Sequence, residues 1–275
     1  MIYLFRLTIR FVDRFFQQIY IPGYACGMEI NGKVHLLFEQ SGVFRDEFRK
    51  LGYKAECYDI QNQFGKTDHI VDLFAEIDKA YGRTENGTTI FDSMSSDDLI
   101  VAFYPCTYFC AMSQVAFNLG YRNYQKLTFS QKIEKILQRS DNRKEYYDRL
   151  VRFVAVCVER NLRMIFENPW SEQTYLKANF LKKPDVVDIN RMERGDYFVK
   201  PTAYWFWNCE PEHGFTHQND KEKKIILNTK KADKVGICSK DRSLISSDYA
   251  RNWICDFVLG KEQKPKEDDQ PTLFD

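Results

Sequence analysis

Four short stretches of this chain combine residue types that can do chemistry with a place at the end of an apolar run. Pro105-Cys106 follows Leu99-Ile-Val-Ala-Phe103, and Glu167-Asn168-Pro169 follows Leu162 to Phe166. A thiol can act as a nucleophile, and a carboxylic acid can share a proton with a reacting group, so the two suit covalent catalysis with acid assistance. Asp59 lies near the end of the run Ala55 to Ile60, where a carboxylate can hold two ribose hydroxyls. Phe38-Glu39-Gln40-Ser41-Gly42 follows the run that begins at Val34, and Gly42 opens a helix where a ligand can meet backbone N–H groups. Three of the stretches also have a plainer reading. Cys106 can be a small buried hydrophobe, Glu167 a cap or salt-bridge partner, and Asp59 a strand end in water.

The elements that would position these groups follow from hydrophobic periodicity. Val34 to Phe38, Ala55 to Ile60 and Leu99 to Phe103 read as strands, His69 to Asp72 as a short one, and Leu162 to Phe166 as another. Val43 to Leu51 reads as a helix whose apolar face is Val43, Phe44, Phe48 and Leu51, stopped by Gly52. Lys144 to Arg160 carries Tyr147, Leu150, Val151, Val154, Cys157 and Val158 at helical spacing. Strands alternating with helices predict an α/β fold with a doubly wound, mostly parallel, Rossmann-like sheet, whose carboxyl ends bring the four stretches to one crevice. Beyond Pro169, Tyr204-Trp-Phe-Trp207 and Lys224 to Leu227 read as strands. The four rings of the first could stack on bases or be buried by strand alternation. A final helix, about Asp248 to Leu259, is capped by Ser246, Ser247 or Asp248 and closed by Gly260.

This divides the chain into an N-terminal extension (1–30), a catalytic and cofactor-binding domain (31–170), a small substrate-recognition region (171–240), a closing helix (241–260) and a tail (261–275). The 275 residues carry a net charge of +1, so any basic footprint for nucleic acid must be local. Eight scattered cysteines, with no convincing secretory signal, point to reduced thiols and a cytoplasmic protein. The first 27 residues are interrupted by Arg6, Arg10, Asp13 and Arg14 and therefore do not read as a membrane span. They suit an amphipathic helix, or Met28 is the true start. Cys209, His213 and His217, with Cys238, could hold zinc, but structural zinc sites more often contain a Cys-x2-Cys element, which favours no metal. The tail is charged and proline-bearing and reads as disordered.

In order along the chain, these stretches resemble the DNA cytosine carbon-5 methyltransferases. Leu37-Phe-Glu-Gln-Ser-Gly-Val-Phe44 resembles their FxGxG cofactor loop, Asp59-Ile60 their acidic ribose-binding position, Pro105-Cys106 their PPC nucleophile loop, and Glu167-Asn168-Pro169 their ENV motif. The resemblance covers roughly Val34 to Pro169, continuing more faintly to Arg242–Ile245 and the final helix. It implies a class I methyltransferase using S-adenosylmethionine, with Cys106, Glu167 and Asn168 as the catalytic set. It also implies cofactor contacts from Phe38, Glu39, Ser41, Gly42, Phe44, Asp59, Ile60, Asp72 and Pro105, and DNA as partner, its target base flipped out of the helix. The chain departs from the family at Gln40, in place of the loop's first glycine, and at Tyr104, in place of the outer proline. Arg191 to Arg194 stands only loosely for the QxRxR segment. RNA or a free pyrimidine nucleotide as substrate, or a protein that binds without catalysis, are the alternatives. Gln270-Pro-Thr-Leu273-Phe274 resembles the QxxLF peptides with which bacterial replication proteins dock on the sliding clamp.

Overall fold

The computed structural model describes residues 28–82, 87–218 and 245–260. The apolar runs become a seven-stranded sheet: β1 (Val34–Leu37), β2 (Ala55–Asp59), β3 (His69–Ile70), β4 (Leu99–Ala102), β5 (Arg163–Pro169), β6 (Val186–Asp188) and β7 (Thr202–Trp207). Their order across the sheet is β3-β2-β1-β4-β5-β7-β6. The first five strands run parallel, β7 is antiparallel to β5, and β6 is antiparallel to β7. Residues 186–207, within the region read as substrate recognition, thus complete the sheet's edge.

The helices are α1 (Val43–Lys50), α2 (Leu73–Gly82), α3 (Ala111–Gln114), α4 (Phe129–Glu159), α5 (Tyr175–Asn179) and α6 (Ser247–Trp253), the last continuing as a π-helix through Leu259. Ser246 Oγ accepts from Tyr249 N at 3.0 Å. Gly260 closes the far end in a left-handed conformation (φ 60°), as the sequence predicts.

Successive strand residues point to opposite faces, and both faces are covered. Leu37, Ile100, Ala102, Met164, Phe166 and Trp205 meet Leu73 and Ile77 of α2 and Leu150, Phe153 and Cys157 of α4. Leu36, Val101, Ile165, Tyr204 and Phe206 meet Phe44 and Phe48 of α1 and Tyr249, Trp253 and Ile254 of α6. Fully burying a large apolar side chain contributes about 1.5–3 kcal/mol, so these two layers hold the strand ends in register. All four rings of Tyr204-Trp-Phe-Trp207 are buried. The base-stacking reading of that cluster therefore fails, and so does one-sided alternation, because β7 is an interior strand.

Candidate active site

Register places the two reactive stretches side by side. β4 and β5 pair with Ala102 opposite Phe166, so Glu167 is the next residue along β5, and Cys106 sits in the turn that leaves β4. Asn168 ties the two together, its Nδ2 donating to the carbonyl of Tyr104 at 3.1 Å. The Tyr104 ring is buried edge-on to Phe38, and its hydroxyl donates to the carbonyl of Tyr146 on α4 at 2.7 Å. Tyr104 therefore anchors this turn to the long helix.

Cys106 is half-buried. The carbonyl of Cys106 accepts from Phe109 N (3.0 Å) and Cys110 N (3.1 Å), a helical turn that brings the Cys106 and Cys110 thiols together. The Cys106 thiol is pushed well above its ordinary value by its hydrogen bond to Cys110, then by burial and by the charge of Glu167; Lys200 opposes this. Cys110 is pulled down to about 6, first by the bond from Cys106 and also by the N–H groups of Ser113 and Met112. The two opposed shifts favour the negative charge of the pair on Cys110 over Cys106.

Glu167 is buried, and its Oε1 has no hydrogen-bond partner among the described residues; neither does Oδ1 of Asn168. The unpartnered carboxyl oxygen of Glu167 at the strand end leaves a position for a group of a ligand. The guanidinium of Arg191 is near enough for the charge of Glu167 to act on it. Arg191 is itself buried and paired with Asp196.

The cofactor loop is built at the end of β1. Phe38 adopts φ 60°, a left-handed conformation rare for a bulky residue and costly by about 1–3 kcal/mol. Gly42, at φ 71°, starts α1, and a Cβ there would fall 2.8 Å from Arg45 Nη2. Glu39 turns inward: its Oε1 accepts from Phe44 N and Ser41 Oγ, both at 3.1 Å, and its Oε2 from the Cys57 thiol at 3.0 Å. Burial raises its carboxyl. Ser41 in turn accepts from Val43 N at 3.3 Å. Glu39 and Ser41 thus fold the loop, while Phe44 packs between Phe103 and Trp253 in the core.

Asp59 ends β2, raised by burial, with Oδ1 accepting from Gln61 N at 2.7 Å. The neighbouring Ile60 is 60% exposed. Asp72 caps α2, accepting from Phe74 N (3.0 Å) and Ala75 N (3.2 Å). Of the residues singled out in the sequence, the structure brings Cys106, Pro105, Glu167 and Asn168 to one spot. Phe38, Gly42, Asp59 and Ile60 lie at the carboxyl ends of the neighbouring strands β1 and β2. Glu39, Ser41, Phe44 and Asp72 serve the scaffold. Lys200 and Cys110 are not among them; the four-residue spacing of Cys110 from Cys106 is the available signal.

Among the described residues no group of His, Cys, Asp and Glu is arranged to hold a metal ion. The Cys209 thiol bonds the carbonyls of Trp207 (3.4 Å) and Met164 (3.8 Å), and Cys238 lies outside those residues. No helix among them is long and apolar enough to cross a membrane. The chain matches no protein-family model and no curated protein.

Proposed function

We propose that this protein is a class I, S-adenosylmethionine-dependent methyltransferase acting on carbon 5 of cytosine in DNA, in the cytoplasm. The observation that carries the reading is the juxtaposition of the Cys106 turn with the buried, unpartnered Glu167 at adjacent strand ends, tied by Asn168. A parallel sheet with one reversed strand, β7, inserted between β5 and the edge strand β6 supports the class, as do residues that suit the cofactor. On this reading Asp59, at the end of β2, takes the ribose hydroxyls and the exposed Ile60 offers an apolar surface to a base.

Carbon 5 of cytosine is a weak nucleophile. Cys106, its proton passed to the Cys110 thiolate, adds to carbon 6 and makes the ring enamine-like. A proton held between the Glu167 carboxyl group and ring nitrogen 3 keeps charge from building up on the ring. Asn168 holds the turn so that sulfur and carboxyl face the same base. The cofactor, when bound, would supply the methyl group from its sulfonium and leave as the neutral thioether; the carbon-5 proton then passes to water, and Cys106 is expelled and regains the proton held by Cys110, which restores the ring.

The test is trapping on DNA that contains 5-fluorocytosine. The whole chain with S-adenosylmethionine should form a covalent adduct, and Cys106→Ala should form none. Absence of both adduct and methyl transfer, with no thermal shift from S-adenosylhomocysteine, would remove the enzyme. Transfer to RNA or free nucleotides alone would move the substrate. The clamp-docking segment Gln270, Leu273 and Phe274 lies outside the described residues; its deletion should abolish clamp association.

A further inference from the structure

α4 is far longer than the sheet it packs on. Its 31 residues span about 46 Å at 1.5 Å per residue. The fully buried positions, Leu150, Phe153, Val154, Val156 and Cys157, are confined to its second half. The chain enters α4 from the carboxyl end of β4, so the first half projects past the strand ends, on the side of the nucleophile turn.

The face that continues the core-facing arc is basic there. At 100° per residue, Lys132, Lys135, Arg139 and Arg143 fall within about 80° of one another, on the arc that farther along bears Leu150, Phe153 and Cys157. Glu134, Asp141, Glu145 and Asp148 lie on the opposite side. Contacts fix which way the basic arc points. Arg143 lies over the rings of Phe117 (4.0 Å) and Tyr175 (4.5 Å) and donates to Gln114 Oε1 at 3.1 Å. Arg139 lies over Tyr108 (5.4 Å), and Asn142 Nδ2 donates to Tyr108 Oη at 3.0 Å. Tyr108, Gln114 and Phe117 belong to the segment that leaves Cys106. Lys132 and Lys135 have no ion-pair partner among the described residues.

Charge is concentrated here. Residues 107–144 contain seven basic and two acidic side chains, a net charge of +5 in a chain whose total is +1. We propose that the projecting first half of α4, through Lys132 and Lys135 on the arc that Arg139 and Arg143 anchor to the nucleophile segment, is the surface on which the phosphate backbone of duplex DNA docks beside the nucleophile turn. Sign segregation on one helix, next to the reactive thiol, is the complement of a polyanion whose base must reach that thiol. The inference rests on the DNA methyltransferase reading and names the surface which that reading lacks.

The test is equilibrium binding of a labelled duplex by the whole chain across a salt series. Lys132→Gln with Lys135→Gln should weaken binding, and the plot of log affinity against log salt should flatten by about 0.9 for each charge removed. The thermal shift from S-adenosylhomocysteine should stay the same. Lys144→Gln, around the helix and paired with Asp148 at 2.5 Å, should change nothing. An unchanged slope in the double variant, or an equal loss in Lys144→Gln, overturns the surface. So does a preference of the same lysines for RNA over duplex DNA. A dimer broken by Leu137→Ser, with DNA affinity rising as it dissolves, would give this half of the helix to a second copy of the chain. Normal fluorocytosine trapping by the double variant with an unchanged slope would sink the surface and leave the enzyme standing. Lysine-dependent binding without any trapping would do the reverse.

Discussion

Nδ2 of Asn168, on β5, donates to the carbonyl of Tyr104, on the turn that leaves β4, across 64 residues of sequence and 3.1 Å of space. This bond decides where the Cys106 turn lies relative to Glu167. Its donor is 1% exposed, so water cannot replace it without entering the fold.

Asn168→Ala strands the Tyr104 carbonyl and should cost about 1–3 kcal/mol of stability, read from the urea midpoint. Adduct formation should fall further than that loss explains, because the turn is no longer held. A variant with wild-type stability and trapping rate would show that the turn stands without the tie.

The shared proton of Cys106 and Cys110 makes a kinetic prediction. Iodoacetamide should label one thiol with an apparent pKa near about 6, a value that belongs to the pair. Peptide mapping should place that label on Cys110, and Cys110→Ser should remove the low-pH phase. Labelling that rises only near the ordinary thiol value would contradict a shared proton.

His35 is buried on β1, between β2 and β4, its Nδ1 3.1 Å from Tyr58 Oη. Burial draws it down from 6.5 to about 4, against the opposing charge of Asp98. The unfolded chain therefore takes up a proton below 6.5 that the folded chain refuses. The associated stability is complete above that value and is lost as pH falls toward 4. Between about pH 7 and about pH 5 the loss should be on the order of 2 kcal/mol. His35→Gln should abolish this part of the slope, and parallel slopes for the two proteins would refute the assignment.

Arg191 and Asp196 form an ion pair in the interior, 1% and 0% exposed. Asp196→Asn leaves the guanidinium charge unopposed and should cost about 3–5 kcal/mol, whereas replacing both partners with apolar residues should cost much less. Denaturant melts of the two variants give the comparison. Equal losses would mean that the pair acts through shape rather than charge.

The core strands were legible in the sequence because strands buried on both faces read as continuous apolar runs. Val34, Ala55 and Leu99 begin β1, β2 and β4 as expected, and β5 starts at Arg163, one residue late. The beginning of α4 was not. Its expected start at Lys144 follows the apolar stripe, yet the helix begins at Phe129. There Thr128 Oγ1 accepts from Gln131 N (3.3 Å), and Gln131 Oε1 accepts from Thr128 N (2.9 Å). That reciprocal cap was visible as Thr-x-x-Gln, and Phe129, Ile133, Ile136 and Leu137 recur at helical spacing; the expected start followed only the stripe that reaches the core, whereas Phe129, Ile133 and Leu137 are exposed. At the site, strand-end position identified Cys106 and Glu167. It could not tell that Glu39 turns inward, since burial of a carboxylate depends on Cys57, eighteen residues away.

Because α4 is one unbroken rod clamped at only one end, it behaves as a lever. Its fulcrum lies near Leu150 and Phe153, and about 25 Å of free arm extends from residue 145 back to Phe129. A tilt of about 10° at the fulcrum, about 34 Å from Phe129, would swing the tip by about 6 Å, more than the length of a hydrogen bond. Arg143 against Phe117 and Asn142 against Tyr108 are the struts that resist such a swing. A cavity opened at Phe153, deep in the core, would thus be felt chiefly at the far tip of the arm.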